Sequence, residues 1–425
     1  MESFGIQPGL SRISELTRRL GSPQQRLSPK TVHITGTNGK GSVAAMLDAI
    51  LRAAGQKTAL FTSPHLHSHT ERYRINGEPV PEADFARLFG RVSEAIDAMT
   101  ADGTASPTEF EAVTALALLW FAEQQVDTAV IETGMGGRDD STNVLDAPLA
   151  IITNAGMDHM AYLGNTIEEI AANKAGVIKQ GAAAVTAADG AALAVIKRIA
   201  AANDASLQVL GEDILVTPRQ LSATGGVFDL RTPAGEYKEL SVGLMGEHQL
   251  SNAALAVWAA EKRGASAEAI RTGLADVRWP ARLEIVSRQP LILLDGAHNY
   301  PGIRTLTAAL ERFWPEKKKI FVLAMLADKE KARCLDELLP LADKLIVTRS
   351  PYFSRSADWR MPYEYAAALG KEVYANEDVG AALRMATDKV RQDEMIVVCG
   401  SLYMVAEARD ILLPEDKICS CREEK

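Results

Sequence analysis

The sequence predicts an α/β protein with two mostly parallel sheets, and three observations carry that prediction. Apolar, β-branched runs alternate with helical patterns over residues 31–202, which is typical of a parallel sheet with helical crossovers. Residues 206–244 are rich in strand formers and turn residues and predict a small antiparallel patch. The alternation of strands and helices starts again after a boundary near residues 287–290. We therefore expect two domains, at residues 1–288 and 289–425.

Composition limits the kinds of partner that the chain can have. The formal net charge of -9 at pH 7 argues against broad binding to nucleic acid or to anionic membranes. The nearest approach to a membrane-spanning run, residues 114–122, is too short, and residues 1–20 lack the apolar core of a signal peptide. We expect a cytoplasmic monomer with no nucleic-acid or membrane partner. The cysteines suggest neither a disulfide framework nor a zinc site; they are Cys334, Cys399, Cys419 and Cys421.

A glycine-rich segment at residues 36–42 follows an apolar strand run and precedes a helical pattern. Its glycines let successive backbone N–H groups converge, and the helix N-terminus adds a partial positive charge, so the segment favours a phosphate group. Lys40 can reach the β- and γ-phosphates, and the Ser42 hydroxyl can ligate Mg²⁺. The spacing differs from the common G-x-x-x-x-G-K-[ST] pattern, and the alternative is a plain glycine turn. The candidate triphosphate-binding residues are Thr37, Asn38, Gly39, Lys40, Gly41 and Ser42.

Two further candidates follow predicted strands. Glu132 ends an apolar run, where phosphate-loop enzymes place a magnesium-handling carboxylate; the alternative is a solvated Glu. Residues 63–69 follow another run and contain three histidines. A zinc site would need these on a regular strand, which Pro64 disfavours, so we expect a substrate-contacting loop. The predicted fold is an N-terminal P-loop ATPase domain with a mostly parallel sheet and a small antiparallel β patch, followed by a C-terminal Rossmann-like α/β domain.

Short motifs recur in a fixed order along nearly the whole chain, from about Phe4 to Leu412. They occupy residues 36–42, 63–66, 71–72, 132–138, 158–159 with 163–164, 174–176, 248–249 with 252, 282–284, 295–299 and 400–403. In these motifs the chain resembles the ATP-dependent Mur ligase superfamily, and within it the folylpolyglutamate synthase branch, which also contains dihydrofolate synthase. Any one motif is only moderately specific, whereas all of them in this order are highly specific.

The resemblance implies a reaction in which ATP phosphorylates a carboxylate of a folate or of dihydropteroate. The amine of L-glutamate then attacks the acyl phosphate, and phosphate leaves. Phosphorylation is needed because the carboxylate oxygen is a poor leaving group, and cations stabilise the charge that develops. The resemblance also implies bound Mg²⁺, with two ions expected. It identifies residues 1–288 as the ATP-binding Mur-ligase-like domain and residues 289–425 as the glutamate-ligase domain.

The resemblance also implies residue roles. Lys40 and the loop amides would hold the phosphates, Ser42 and Glu132 would ligate the first Mg²⁺, and His159 would ligate the second. Lys174 matches a lysine that family members carry as a carbamate. From the residues alone, His159 could be a polar loop residue and Lys174 an ion-paired helix residue, and both alternatives stay open. Further ATP contacts are implied for Gln249, Asn252, Arg282, Asp295 and His298, and pterin contacts for Ser63, His65 and Arg72.

The chain departs from the family pattern at three places. Asn173 stands where a Glu usually precedes the carbamate lysine, Asp139 stands where an apolar residue is usual, and Tyr300 interrupts a common His-Asn-Pro. None of these departures removes a proposed ligand, so we expect effects on efficiency or on substrate choice.

Two other functions remain as alternatives at this stage. A peptidoglycan-type ligase of the same superfamily would share the phosphate loop and the metal residues. The loop at residues 63–66 and the lack of an extra α/β domain before residue 30 favour the folate branch instead. A nucleotide-dependent switch without ligation would respond to the γ-phosphate by ordering its loops. Whether folate, dihydropteroate or both are the acceptors stays open.

Overall fold

The computed structural model describes residues 7–327, 329–351, 356, 358–388 and 390–414. The chain forms two compact units, which are each built from separate stretches of sequence. The first unit comprises Met1–Leu221, Gly226–Gly243 and His248–Arg278, and the second comprises Ser222–Gly225, Leu244–Glu247 and Trp279–Lys425. Phe4, Cys419 and Cys421, which the sequence analysis named, lie outside the described residues.

Helices and strands alternate through most of the described chain. The α-helices are α1 (Ser11–Arg19), α2 (Pro23–Leu27), α3 (Lys40–Ala53), α4 (Glu82–Ala101), α5 (Glu109–Glu123), α6 (Met160–Leu163), α7 (Ile167–Ala175), α8 (Gly190–Ala202), α9 (His248–Lys262), α10 (Ala267–Asp276), α11 (Tyr300–Phe313), α12 (Lys331–Leu338), α13 (Met361–Ala368), α14 (Val379–Thr387) and α15 (Leu402–Leu412). The strands are β1 (Thr31–Thr35), β2 (Thr58–Phe61), β3 (Tyr73–Ile75), β4 (Glu78–Pro79), β5 (Thr128–Glu132), β6 (Leu149–Ile152), β7 (Ala183–Thr186), β8 (Ser206–Val209), β9 (Leu215–Ser222), β10 (Gly225–Arg231), β11 (Glu236–Val242), β12 (Glu284–Arg288), β13 (Leu291–Leu294), β14 (Lys318–Leu323), β15 (Ala342–Val347), β16 (Val373–Ala375) and β17 (Glu394–Cys399).

The first unit is built on an eight-stranded sheet in the order β4-β3-β2-β5-β1-β6-β7-β8. Strands β2 and β5 to β8 pair in parallel with β1 or with one another, and only β3 and β4 pair antiparallel. Every residue of β1 is buried, because helices cover both faces of a parallel sheet. The prediction of a mostly parallel sheet is confirmed. The carboxyl ends of β2, β5, β1 and β6 therefore meet at one edge, where open α/β sheets bind their ligands.

Helix α3, which follows the glycine-rich segment, is almost entirely buried from Ser42 to Leu51. It packs against α9 and α10. Gly273 of α10 permits the close approach, because a Cβ there would lie 2.4 Å from the Cα of Ile50. Helices α9 and α10 come late in the chain. Their packing against α3 therefore brings residues that are distant in sequence to the start of that helix.

The predicted antiparallel patch is the three-stranded sheet β11-β10-β9. Its strands β10 and β11 pair antiparallel with a register shift between Phe228 and Leu230. Strand β11 packs on α10, so this sheet belongs to the layer that supports α3. The predicted small antiparallel patch is confirmed.

The second unit is built on a six-stranded sheet in the order β12-β13-β17-β14-β15-β16. All neighbouring strands are parallel except β12, which pairs antiparallel with β13. The predicted second α/β sheet is confirmed. The expected domain limit between residues 288 and 289 falls at the turn of hairpin β12–β13, at Gln289 and Pro290. Turn residues of this kind also occur in linkers.

Two observations bear on the expectations about disulfide bonds and membrane-spanning helices. Cys334 and Cys399 form no disulfide bond and lie in the core of the second unit. Among the described residues, no helix is long and apolar enough to cross a membrane.

Candidate active site

The phosphate loop, residues 36–42, connects β1 to α3. Two of its positions, 36 and 39, accept only glycine because of their backbone conformation and close neighbours. Gly36 has a φ of +153°, and a Cβ there would lie 1.8 Å from Oγ1 of Thr153. Gly39 has a φ of +86°, and a Cβ there would lie 2.6 Å from Oδ1 of Asn252. The Lys40 ammonium donates to the Gly36 carbonyl oxygen at 3.0 Å. The loop is therefore closely packed on both sides, with its lysine folded over it.

Three predicted ATP-binding residues lie together at the start of α3. Ser42 is only 2% exposed, and Nε2 of Gln249 donates to its Oγ at 3.4 Å. Asn252 Nδ2 donates to Gln249 Oε1 at 2.9 Å. Gln249 and Asn252 are both on α9, so the packing of α9 on α3 delivers them to the phosphate loop.

Glu132 is the last residue of β5, beside β1 in the sheet, and its side chain is 4% exposed. Its Oε2 accepts a hydrogen bond from the backbone N–H of Ser63 at 3.2 Å. Ser63 follows β2, the strand on the other side of β5. The predicted metal carboxylate and the predicted pterin loop are therefore in direct contact.

The predicted pterin loop, residues 63–69, is held by Glu71, which lies two residues after it. The Glu71 carboxylate accepts from the backbone N–H groups of Leu66, His67 and Ser68 at 2.9–3.0 Å. Burial raises the pKa of Glu71, but these backbone donors outweigh burial and the pKa is lowered overall. The carboxylate is therefore charged and fixes the course of the loop.

His65 and Arg72, both predicted to contact pterin, form a pair. Arg72 Nε donates to His65 Nδ1 at 2.9 Å, and the His65 and His69 rings are 4.2 Å apart between centroids. Burial, and then the Arg72 charge, lower the pKa of His65 to about 4. His65 is therefore neutral near pH 7, and since Nδ1 accepts, its proton is on Nε2. Among the described residues no three His, Cys, Asp or Glu side chains group as metal ligands.

His159 follows β6 and has a φ of +52°, in the left-handed region. Its ring Nε2 lies 3.9 Å from Oδ2 of Asp158, and 36% of its side chain is exposed. Ser42 and His159 thus follow β1 and β6, and Glu132 ends β5; these are three adjacent strands whose carboxyl ends share one edge. A hydroxyl, a carboxylate and an imidazole fit Mg²⁺ if phosphate oxygens and water complete its shell, which is how this ion usually binds in nucleotide enzymes.

Lys174, on α7, is 3% exposed. Burial and the nearby Lys40 charge lower its pKa to about 7, with Asp158 and Asp140 acting in the opposite direction. An amine with this pKa is partly neutral at physiological pH. Asn173, where the family usually has Glu, instead accepts from the Gly137 backbone N–H at 2.9 Å through Oδ1.

Sequence reasoning missed two residues that hold the loops in place. Asn154 bonds to the backbone of the phosphate loop. Asp140 accepts from the backbone N–H of Met135 at 2.8 Å and from Oγ1 of Thr142 at 2.5 Å. Thr142 Oγ1 in turn lies 2.8 Å from Nε2 of the buried His33. Burial raises the pKa of Asp140. The sequence contains one signal for Asn154 and Asp140, which is that each is a polar residue in the segment after an apolar strand.

In the second unit, Arg282 lies just before β12, close to the segment after β13 that contains Asp295 and His298. Asp295 accepts from the backbone N–H groups of Leu283 and Ala297, each at 2.8 Å. Burial raises the pKa of Asp295, and the Arg282 charge opposes that shift. His298 Nδ1 donates to the Gly296 carbonyl at 2.8 Å. The structure therefore gathers these predicted residues within their own unit, Arg282 from the segment before β12 and the other two from the segment between β13 and α11.

Comparison with known proteins agrees with this arrangement. The model of the Mur ligase middle domain matches residues 34–260, and that of the Mur ligase glutamate ligase domain matches residues 281–402. The dihydrofolate synthase/folylpolyglutamate synthase of Bacillus subtilis is 36% identical over 414 residues, which cover 96% of this chain and 95% of the relative. The folylpolyglutamate synthase of Lacticaseibacillus casei is 36% identical, covering 95% of this chain and 94% of the relative.

The chain belongs to the folylpolyglutamate and dihydrofolate synthase family of Mur ligases.

Solved structures of this family have the same fold. Folylpolyglutamate synthase of Mycobacterium tuberculosis, complexed with ADP and AMPPCP, superposes with a TM-score of 0.89 at 34% identity and covers 95% of both chains. The E. coli FolC protein in complex with DHPP and ADP gives a TM-score of 0.87 at 30% identity, over 99% of this chain and 95% of the other. The resemblance and the fold class inferred from the sequence are therefore confirmed.

Membership in the folylpolyglutamate and dihydrofolate synthase family fixes the reaction type. The chain is an ATP-dependent ligase that forms an amide bond, so the alternative of a nucleotide switch without ligation is wrong. The individual site residues stay predictions.

Proposed function

We propose that this ligase joins L-glutamate to a folate, to dihydropteroate, or to both, with ATP and Mg²⁺. The observation that carries the proposal is the contact between Glu132 and the Ser63 backbone N–H. This hydrogen bond supports the proposal because it joins the loop predicted to bind the pterin acid to the carboxylate at the end of β5, the strand beside β1. The names of the relatives support the same two acceptors.

The chemistry starts with transfer of the γ-phosphoryl group of ATP to a carboxylate oxygen of the pterin acid. In the proposal, Lys40 and the amides at the start of α3 bind the β- and γ-phosphates and stabilise the charge of the transferring group. Ser42, Glu132 and His159 would hold Mg²⁺, which neutralises phosphate charge when bound. Glu132 also fixes the pterin loop, and so orients acid and phosphate together.

The second step is attack of the glutamate amine on the acyl phosphate. A tetrahedral intermediate forms, the bond between the carbonyl carbon and the phosphate oxygen breaks, and phosphate leaves. The amine loses a proton to become an amide nitrogen. We assign Arg282, Asp295 and His298 to ATP contacts and Asp295 and His298 also to the incoming glutamate, as the motifs imply.

We further propose that Lys174 is carbamylated. Its lowered pKa supplies the neutral amine that attacks CO₂, forming a carbamate and releasing a proton. A carbamate replaces a cation by an anion, which would remove the repulsion from Lys40 and suit a nearby cation. A cytoplasmic location and a monomeric state complete the proposal.

Substrate dependence tests this function. We expect ADP release to require both a pterin acid and L-glutamate, and ¹⁸O from the pterin carboxylate to appear in the released phosphate. Mass spectrometry of products from dihydropteroate and from tetrahydrofolate would show which acceptors are used. ADP release that is the same with and without glutamate, or phosphate without the label, would contradict the proposal.

A further inference from the structure

Asn154, directly after β6, bonds to two consecutive amides of the phosphate loop. Its Oδ1 accepts from the backbone N–H of Thr37 at 3.1 Å and of Asn38 at 3.0 Å. Its Nδ2 donates to the Asn38 carbonyl at 3.1 Å. Both ends of one side-chain amide therefore hold the first half of the loop.

The neighbours of Asn154 add to this clamp. Oγ1 of Thr153 donates to the same Asn38 carbonyl at 2.6 Å. The hydroxyl of Thr37 exchanges hydrogen bonds with Gly156, at 2.9 Å to its N–H and 3.1 Å to its carbonyl. Because Gly36 lacks a Cβ, Thr153 can lie directly against the loop. Residues 153–156 and 36–38 thus form one hydrogen-bonded unit.

This clamp decides which loop amides remain for a phosphate group. A backbone amide has one hydrogen, and those of Thr37 and Asn38 point to Asn154. The first bond inside α3 runs from Val43 N–H to the Gly39 carbonyl at 2.9 Å, so the N–H groups of Lys40, Gly41 and Ser42 have no acceptor within the helix.

We propose that Asn154 is a positioning residue for ATP. By taking up the amides of Thr37 and Asn38, it sets the loop so that the N–H groups of Lys40, Gly41 and Ser42 receive the phosphates. This inference rests on the proposed binding of ATP at the loop. It also revises the predicted set of ATP-binding residues, because Thr37 and Asn38 then act through the clamp and not through their backbone amides.

The test measures binding of a non-hydrolysable ATP analogue with Mg²⁺ to the full chain by calorimetry. Asn154→Ala removes the side-chain acceptor of both amides and the donor to the Asn38 carbonyl, and leaves the Thr37 N–H only the Asn154 backbone carbonyl, at 3.2 Å. We expect binding to weaken about tenfold or more, since each lost bond typically changes affinity severalfold. Thr153→Val is nearly isosteric and removes only the bond to Asn38, so we expect a smaller loss, of about threefold. In turnover assays KM for ATP should rise while KM for the pterin acid and for glutamate stays within about twofold.

A matched control is Asn203→Ala in the same unit. The Asn203 side chain also donates to a backbone carbonyl, that of Ile178, at 2.9 Å. Asn203 lies between α8 and β8, and its carbonyl accepts from the Gly181 N–H before β7, so it is at the amino ends of the strands, opposite the phosphate loop. We expect this variant to bind the analogue as the wild type does. Lys40→Ala serves as the reference for loss of a direct phosphate contact.

Each result decides between distinct conclusions. If folded Asn154→Ala and Thr153→Val both bind the analogue within about twofold of wild type while Lys40→Ala is weak, the clamp has no role and only this inference fails. If Lys40→Ala also binds normally, ATP is not held by this loop, and the proposed function loses its site as well. If Asn154→Ala does not fold, Thr153→Val decides, and an equal rise in KM for all three substrates would overturn the positioning role.

Discussion

The carboxylate of Glu132 accepts a hydrogen bond from the backbone amide of Ser63 at 3.2 Å. Strand β5 carries Glu132 and lies between β2 and β1 in the sheet, so one buried acidic group stands between the loops that follow those two strands. A negative charge at this position can both attract Mg²⁺ and orient a backbone donor. Its charge and its hydrogen-bonding capacity are therefore separable by mutation.

Glu132→Gln separates these two properties. Glutamine keeps the size and an acceptor oxygen for Ser63 but removes the charge, so we expect a fall in kcat of about a hundredfold or more, with unchanged folding. ADP release and thermal melting, measured together, check this. Glu123→Gln, at a surface ion pair with Arg91, is the control and should retain activity. Unfolding of the Glu132 variant would mean that the residue is scaffold.

In buffer freed of CO₂ and bicarbonate, where Lys174 carries a free amine and no carbamate, its burial should make stability depend on pH. Its folded pKa of about 7 lies below the ordinary value of 10.5, so between those values the unfolded chain binds a proton that the folded chain lacks. The cost of burying the charge is therefore fully present below pH 7 and is relieved as pH rises toward 10.5. Relative to Lys174→Met, the wild type should gain a few kcal/mol of unfolding free energy between pH 6.5 and pH 9.5, by the rule of about 1.4 kcal/mol per pKa unit.

Urea unfolding at several pH values measures this difference. The exposed Lys197 offers a control, since Lys197→Met should shift the free energy of unfolding equally at both pH values. If the free energy of unfolding varies with pH in the same way for the wild type and for Lys174→Met, then Lys174 titrates near its ordinary pKa in the folded chain.

The carbamate proposal predicts chemical rescue. Lys174→Ala leaves a buried space without an anion, so added acetate or formate should restore part of the lost turnover. Lys179→Ala, which removes a donor to the Asn143 carbonyl, should not respond to acetate. The assay compares turnover in rising acetate with turnover in chloride at equal ionic strength. Absence of rescue would leave Lys174 with an ion-pairing role only.

Asp140→Asn should destabilise the first unit. The carboxylate uses both oxygens, one for the Met135 N–H and one for Thr142, whereas an asparagine has only one acceptor oxygen. We expect a loss of about 1–3 kcal/mol in unfolding free energy. The exposed neighbour gives the control, because Asp139→Asn should stay within about 0.5 kcal/mol. Equal effects of the two substitutions in denaturant titrations would contradict the assigned role of Asp140.

Arg72→Ala tests the pterin loop. Without the guanidinium, His65 loses the donor that holds its ring, so we expect KM for the pterin acid to rise about tenfold while KM for ATP changes little. Arg74 donates only to backbone carbonyls, of Glu71 and Gly77, and Arg74→Ala is the matched control. Steady-state kinetics with each substrate varied in turn would reveal whether both KM values rise together, which would argue against a pterin-specific role.

The sequence predicted those parts of the protein whose signal is local. Strand runs, the glycine turn and a carboxylate at a strand end each lie within a few consecutive residues, and β1, the phosphate loop and Glu132 were found in this way. Asn154 was missed because its partners follow another strand. Asp140 was missed because its bonds to Met135 and Thr142 depend on the course of an irregular loop, which no periodic pattern predicts. The register that sets Thr35 opposite Ile152 brings Asn154 to the loop, and no local pattern states which strands will be neighbours.

The hairpin β12–β13 illustrates the same limit. Its turn residues look like a linker in sequence, and only the pairing of Glu284 with Leu294 shows that β12 belongs to the second sheet. The hydrogen bond from Arg72 to His65 likewise could not be predicted from the sequence, although both residues were predicted to contact the pterin.

The contact between Ser42 and Gln249 joins residues that are 207 positions apart. During synthesis on the ribosome, the phosphate loop therefore emerges long before the helix that completes its surroundings. A nascent chain remains without Gln249 and Asn252 until α9 has left the exit tunnel, and fragments released earlier would lack these side chains for the nucleotide.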